Sequence, residues 1–521
     1  MRKVSVYLKG ITKLIVCVAL LSLPVHAADI NTDLVIVGAG GAGLTAALTA
    51  SQGGLKVVLI EKLPGTGGTG NFAEGVFAVE SQLQKERWVN LTKDQVFKQE
   101  MHETHWSTNS ALIRRFYNES ANTIDWLLSL GVKFRGPESN FYGNNPTWHL
   151  AEGLGETLLK TLRARLDADK NITLMLETTG IKLISKNGAV VGVIAENEDG
   201  KFNINSKNGV ILATGGFQDN PDMVKQYIGL EPGQYRALIP MKRTGDGIRM
   251  AMEVGAVTEG MNRALLHLLL AKDADGFSIP MLGMSMLGNQ PRNVWVNSLG
   301  ERFCDEAVSF DFTNASGAVR RQLAVWSIFD ENLRNYYITK GTEAGIGVIG
   351  EAGTKMKKDQ NGPGKPHNFD FDELWNNALK NNDPFVVKGT LQDIAKKANI
   401  PYDTLKKTID DYNTNATKNI DPDFAKDRQW LQQMDISKPL YAIKMKEYSM
   451  ITLGGIRVNK YLQAVDKDHK PIPGLYMGGN DVGGMFLGSY SLSVTSGTTF
   501  GFTINSGRMA VLDILDKTRK K

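Results

Sequence analysis

Three glycines and a carboxylate carry the first chemical signal of this chain. Gly38, Gly40 and Gly43 form G-x-G-x-x-G, with Gly41 and Ala42 between the last two. The spacing suits a pyrophosphate. The first glycine permits a sharp turn, the second lets backbone approach the phosphates, and the third lets a helix pack on the preceding strand. The free N–H groups and positive dipole end of that helix then face the anion. Glu61 stands where an acid about 20 residues further on accepts ribose hydroxyls. A merely glycine-rich turn is the competing reading. The motif does not separate FAD from NAD. A second glycine-rich loop at 64–75, holding Gly67, Gly68, Thr69, Asn71 and Gly75, favours a flavin nucleotide buried along its length.

The elements around these residues read as α/β. Residues 34–37 are an apolar run of buried-strand type, 44–51 continue as a small-residue helix, and 56–60 read as a second strand. Helical spacing dominates 91–130. Residues 172–176, 181–185 and 189–196 read as a three-strand antiparallel meander, and 203–208 is a polar stretch. Ala213-Thr214-Gly215 ends a buried strand at a glycine pair, and 244–247 form a tight turn that opens a helix. The methionine-bearing run 279–287 reads as core or as an adaptable pocket wall. A hairpin is expected at 294–303, a solvated loop at 355–372, paired helices at 390–398 and 402–414, a turn then a strand at 452–458, and a closing helix at 497–515. Strand and glycine-loop character marks both ends, so the middle reads as an insertion.

The chain has 521 residues, enough for two or three domains with real cores. Residues 1–27 read as an export signal: a basic start, an apolar core at 14–23 too short for a comfortable membrane span, and a Val25-His26-Ala27 cleavage site. An uncleaved anchor is the alternative. Cleavage removes Arg2, Lys3, Lys9 and Lys13 and no acid, which takes the formal charge from +5 to +1. The basic balance therefore implies no nucleic-acid partner. One cysteine remains, Cys304, so no internal disulfide is expected. No C-x-x-C-H haem-attachment motif, no metal site and no stable membrane insertion are expected.

The order of motifs resembles the flavoprotein family of soluble fumarate reductases, succinate dehydrogenase flavoprotein subunits, urocanate reductases and 3-ketosteroid Δ1-dehydrogenases. The motifs are 37–43, 67–71, 213–217, 244–247, 296–303, 453–455 and 473–479. The resemblance implies an α/β fold: a Rossmann-like FAD-binding domain at 28–240 and 441–521, with an inserted α+β capping domain at 241–440 and substrate held between the two. It carries cofactor roles to Lys62, Asp246, Asn480, Asp481, Ser491 and Leu492, beside the glycine-loop residues already named. It sets His267 against a family histidine. The fumarate-binding arginines do not carry over. Phe310 stands at one such position, Ile451 at the family histidine before the glycine turn, and Asn289 near the proton-relay arginine, with Arg292 close by. A dicarboxylate needs fixed guanidinium partners, because a buried carboxylate without a counter-charge costs several kcal/mol. Fumarate and succinate are therefore argued against. The steroid-dehydrogenase branch is more similar in the last third, through Gly479-Asn480-Asp481 and Tyr490.

Flavin chemistry moves a hydride, so an acid or base must stand opposite the ring. Tyr490 is the first candidate, with a packed phenol tied to backbone as the alternative. Arg292 and Arg263 are candidates for holding a substrate carboxylate or carbonyl, with surface solvation as the alternative. His149 can serve the flavin or substrate, or make a structural hydrogen bond. The expected function is a periplasmic FAD-dependent oxidoreductase that reduces an activated C=C bond in a 2-enoate other than fumarate. Its electrons would come from a separate c-type cytochrome. A 3-ketosteroid-type dehydrogenase and a flavin electron-transfer protein without its own substrate are the alternatives.

Overall fold

The computed structural model describes residues 29–139, 144–230, 237, 239–270, 279–345, 355–356, 369–486, 490 and 492–520; of 266–270, 279–281 and 492–493 the backbone alone is described. The export-signal reading of 1–27 lies outside these residues.

The central layer is a six-stranded sheet ordered Gln463–Val465, Pro471–Met477, Val210–Leu212, Leu34–Val37, Val57–Ile60, Ile172–Met175. All its pairings are parallel except that of the first two strands. Leu34–Val37 and Val57–Ile60 are buried at every position, as the continuous apolar runs require in a sheet covered on both faces. Ile172–Met175 corrects the expected meander: it is the outer parallel strand of this sheet, paired with Val57–Ile60. The antiparallel part lies in a separate four-stranded sheet ordered Ile30–Thr32, Gly200–Ser206, Ala189–Asn197, Thr179–Lys186. The polar residues 203–206 belong to the strand Gly200–Ser206 of this sheet. Phe202, Ile204 and Ser206 alternate inward, and the polar residues between them face out. The helices Gly41–Gln52 and Thr498–Arg519 pack against each other over the central sheet.

A second antiparallel sheet covers the nucleotide-type layer. It runs Ala264–Leu270, Leu440–Thr452, Val325–Asp330, Val294–Asn297, and Val386–Gly389 also pairs with Leu440–Thr452. The architecture is thus α/β, a Rossmann-like sheet with a capping unit. Val294–Asn297 turns back at Asn297–Gly300 as expected, yet its main partner is Val325–Asp330, and the return arm reaches only a single bridge, Val296 to Arg302. The core of the cap is aromatic. Phe371 stacks on Trp375 at 5.4 Å and Phe329 on Tyr441 at 5.4 Å. Met284 and Met286 are buried in the same cluster, which favours the core reading of 279–287. Phe369 and Phe371 also lie in it, so the end of the expected 355–372 loop is packed rather than solvated.

A buried ion network fastens the cap. Glu306 accepts from Arg302 at 2.8 Å and Lys426 at 3.0 Å, and Arg302 also pairs with Asp421 at 3.0 Å. Burial alone would raise the Glu306 carboxyl, but Lys426 and Arg302 hold it below the usual carboxylate range. Desolvated charges of this kind persist only when paired. Among the described residues no helix is long and apolar enough to cross a membrane.

Candidate active site

The first glycine loop is built by contacts that exclude side chains. Gly38 has φ +100°, and a Cβ there would stand 2.4 Å from the Ala213 carbonyl oxygen. A Cβ on Gly43 would meet the Gly38 carbonyl oxygen at 1.8 Å. Both contacts are with backbone that cannot yield, so helix Gly41–Gln52 sits hard on strand Leu34–Val37. Its first turn carries no side-chain cap and no acid. Free N–H groups are thus presented to a cavity of about 640 Å³.

That cavity gathers most of the sequence-expected cofactor residues. Gly40, Gly41, Glu61, Lys62, Gly67, Gly68, Thr69, Asn71, Gly75, Ala213, Thr214, Gly215 and Asn480 line it. The chemistry of this set fits FAD. A Cβ added at Gly40 or Gly68 would meet no protein atom nearer than 3.9 Å, so the space it would fill is the cavity itself. Glu61 accepts the Ala39 N–H at 2.8 Å and the Leu63 N–H at 2.9 Å, which aims its carboxylate across the loop mouth and leaves each oxygen a second lone pair for a ribose hydroxyl. Glu61, the glycine loops and the helix amides would hold the nucleotide.

Other expected cofactor residues act on the frame instead. Gly38 and Gly43 shape the turn. Asp246 binds Lys62 at 2.6 Å and Arg249 at 2.6 Å; burial would raise its carboxyl, and Lys62 outweighs this to hold it below the usual range. Asp481 is fully buried and accepts from Thr214 and Gly216. Ser491 lies outside the described residues, as do the side chains of Leu492 and His267.

Tyr490 lines the same cavity and is 3% exposed. Its phenol oxygen accepts the N–H of Gly497 at 2.6 Å and of Thr498 at 3.2 Å, at the start of helix Thr498–Arg519. Burial raises the phenol well above its ordinary pKa, and the two amides only partly oppose it. Arg292 does not reach the cavity. Its guanidinium pairs with Glu343 and lies over the rings of Tyr336 and Trp430, at 5.1 Å and 5.2 Å. Sequence proximity to the family arginine position suggested a substrate role; the carboxylate of Glu343 and the two rings hold it elsewhere. Arg263 is exposed. His149 is fully buried between Ser81 Oγ at 2.7 Å and the Thr147 carbonyl at 3.1 Å, and burial pushes it down to about 4. This is the structural histidine of the two readings.

Sequence reasoning reached the apolar wall of the cavity only through the 279–287 run, which holds Leu282, and missed Leu265, Phe312 and Met450. Leu265, Leu282, Phe312, Met450 and Ile451 line it, and Leu265 and Ile451 are direct cross-strand partners. It also missed Arg243, which lines the cavity and pairs with Asp219 at 3.0 Å. Arg243 immediately precedes the Thr244–Gly247 turn, and that adjacency was the available signal.

The FAD binding domain family model matches residues 33–496. Vinyl phenol reductase of Lactiplantibacillus plantarum is 35% identical over 488 residues, 91% of this chain and 94% of that protein. Fumarate reductase (cytochrome) of Shewanella frigidimarina is 26% identical over 92% of this chain and 76% of that protein. The crystal structure of 3-ketosteroid delta1-dehydrogenase from Sterolibacterium denitrificans superposes with a TM-score of 0.72 over 94% of this chain and all of that one, at 18% identity, a likeness of fold. The chain belongs to this FAD-binding flavoprotein family and is an FAD-dependent oxidoreductase acting on CH–CH groups.

Proposed function

We propose that this protein reduces the vinyl C=C bond of an apolar, aryl-conjugated substrate of the vinyl phenol type, outside the cytoplasm, with electrons from a separate c-type cytochrome. The observation that carries the substrate class is the apolar wall of Leu265, Leu282, Phe312, Met450 and Ile451 beside the buried phenol of Tyr490. A dicarboxylate placed there would meet hydrocarbon on this side and, at Arg243, a guanidinium already paired with Asp219. Desolvation without a dedicated counter-charge costs several kcal/mol. An aromatic ring gains by burial at about 25 cal/mol per Å². The similarity to vinyl phenol reductase supports the same class, in place of the 2-enoate expected from the sequence.

Tyr490 supplies the proton. Its raised pKa keeps the phenol protonated at neutral pH. The Gly497 and Thr498 amides, with the positive end of their helix, meet the negative charge that develops on the oxygen as the proton leaves. FAD, when bound, supplies the hydride that completes addition across the double bond. The cytochrome reading rests on the signal-like first 27 residues and on the similarity to a cytochrome-type fumarate reductase.

The test is anaerobic. The holoprotein is reduced and mixed with 4-vinylphenol, a 2-enoate, fumarate and a steroid enone, and flavin reoxidation is followed by absorbance. Reoxidation by the vinylphenol alone is the expected result. Faster reoxidation by the enoate or the enone replaces the substrate class. Failure of a reduced c-type cytochrome to reduce the oxidised holoprotein removes the partner.

A further inference from the structure

Trp148 stands in the corner of the cavity that holds Tyr490. It opens strand Trp148–Ala151, the middle strand of a three-stranded sheet, paired on one side with Gly75–Phe77 and on the other with Phe134–Glu138. Its backbone is therefore fixed on both edges. Its indole is fixed as tightly. A Cβ at Gly75 would stand 2.8 Å from the indole Nε1, and a Cβ at Gly497 would stand 2.7 Å from the adjoining Cδ1. The N–H edge of the ring is thus wedged between two glycines, and Trp148, Gly75 and Gly497 all line the cavity. Among the described residues the indole N–H meets no hydrogen-bond acceptor. A tryptophan N–H enclosed by protein usually has one.

The place of this donor along the cavity identifies its partner. Glu61 and the bridge between Gly40 and Gly67 mark the ribose and pyrophosphate end. The second glycine loop runs on from there, through Asn71 and Glu74, to the strand that begins at Gly75. The ring system of the flavin therefore belongs at the Gly75 end. Gly497, against which the indole edge rests, donates its amide to the Tyr490 oxygen at 2.6 Å. Proton and hydride reach neighbouring carbons of one double bond, so the N5 edge of the ring faces the same corner. The apolar wall stands on the cap side, on Ala264–Leu270 and Leu440–Thr452 among others, so the indole faces the cofactor rather than the substrate.

We propose that Trp148 is a flavin-binding residue whose indole N–H donates to the ring carbonyl oxygen beside N5, and that this bond raises the reduction potential. This rests on the reading of Tyr490 as proton donor, which decides the edge of the ring that turns to the corner. The carbonyl oxygen accepts in both redox states and carries more negative charge once two electrons have arrived. N5 is not the acceptor, because it bears hydrogen in the reduced ring and would then face the indole donor to donor. A donor held by two glycines and a three-stranded sheet cannot swing away. Its bond therefore strengthens as the charge develops, at no cost in reorganisation.

The experiment compares the FAD holoenzymes of wild type, Trp148→Phe and Trp148→His. Phenylalanine keeps an aromatic ring and removes the donor, and histidine restores an N–H. In a redox titration against a reference dye, W148F should favour the reduced ring about tenfold less than wild type, about 30 mV for the two-electron couple. W148H should recover part of that difference. With FAD carrying carbon-13 at the carbonyl, the infrared band should lie at lower wavenumber in wild type than in W148F. In wild type labelled at the indole nitrogens, one of the eight tryptophan signals should move downfield on flavin reduction. An unchanged potential and carbonyl band in W148F overturns the proposal. If neither variant retains flavin, a wild-type indole spectrum that does not respond to reduction overturns it. None of these readouts uses a substrate or a proton transfer. Full activity of Tyr490→Phe would remove the proton-donor reading instead, and the carbonyl band would then decide Trp148.

Discussion

The carboxylate of Asp481 takes both the amide and the hydroxyl of Thr214, at 2.5 Å and 2.8 Å, and the Gly216 amide at 2.9 Å. The Thr214 hydroxyl in turn accepts the Gly247 N–H at 3.0 Å. One buried side chain thus joins the glycine turn after strand Val210–Leu212 to the helix start at Asp246, and Thr214 and Gly215 line the cavity. In Asp481→Asn the amide group replaces one acceptor oxygen with a donor facing other donors. Hydrogen bonds to a charged group contribute about 1.5–3 kcal/mol. Flavin affinity should fall roughly tenfold and thermal stability should drop, measured by fluorescence titration of FAD and by calorimetry.

Gly43→Ala should purify without flavin. Its Cβ would stand 1.8 Å from the Gly38 carbonyl oxygen, which forces helix and strand apart where the phosphates must approach. Gly65→Ala, in the neighbouring loop with open space around it, is the control and should retain flavin. The ratio of flavin to protein absorbance reads both.

Tyr490→Phe should keep the flavin spectrum and lose about a hundredfold or more in kcat, the usual range for a positioned proton donor. The ring stays packed against Phe486, whose centroid lies 5.9 Å away, so the loss isolates the hydroxyl. Stopped-flow reoxidation measures it.

His149 predicts an acid weakness. Its folded pKa of about 4 lies below the ordinary 6.5, because burial, and to a lesser degree the charge of Arg87, oppose the imidazolium. The unfolded chain therefore binds the proton first. Stability is fully present above pH 6.5 and is lost as pH falls toward 4, by up to ~3 kcal/mol at 1.36 kcal/mol per pKa unit. In His149→Gln that acid loss should vanish, as seen in denaturant midpoints taken from pH 4 to pH 7.

The glycine spacing and the two apolar runs were legible because backbone requirements leave few residue choices. Only glycine tolerates the 1.8 Å and 2.4 Å approaches at Gly43 and Gly38, so composition at those positions reports geometry directly. Ile172–Met175 was misassigned because a short apolar run looks alike in a meander and at the edge of a parallel sheet; its long-range pairing with Val57–Ile60 decides. The same limit hid the buried Glu100, on helix Lys93–Glu103. A glutamate in a polar helix reads as a solvated face until the helices of Thr495 and Tyr117 close over it. Arg292 failed for the converse reason, since nothing in its neighbourhood along the chain announces Glu343.

Glu100 sets a slope opposite to that of His149. Its carboxyl ordinarily titrates near 4.5 and is raised to about 7 here, chiefly by burial, so the folded chain holds the proton longer than the unfolded one. Stability from this group is full below pH 4.5 and declines as pH rises toward 7, again by up to ~3 kcal/mol. Between pH 4.5 and 6.5 the two groups therefore offset each other, and the wild-type profile there should be nearly flat. Each single variant unmasks the other group. His149→Gln should lose stability with rising pH across that window, and Glu100→Gln should gain it. The double variant should be flat again, because it carries neither titrating group. Denaturant midpoints of the four proteins at pH 4.5, 5.5 and 6.5 measure this. Parallel curves for wild type and both single variants would mean that neither buried group titrates as its surroundings require.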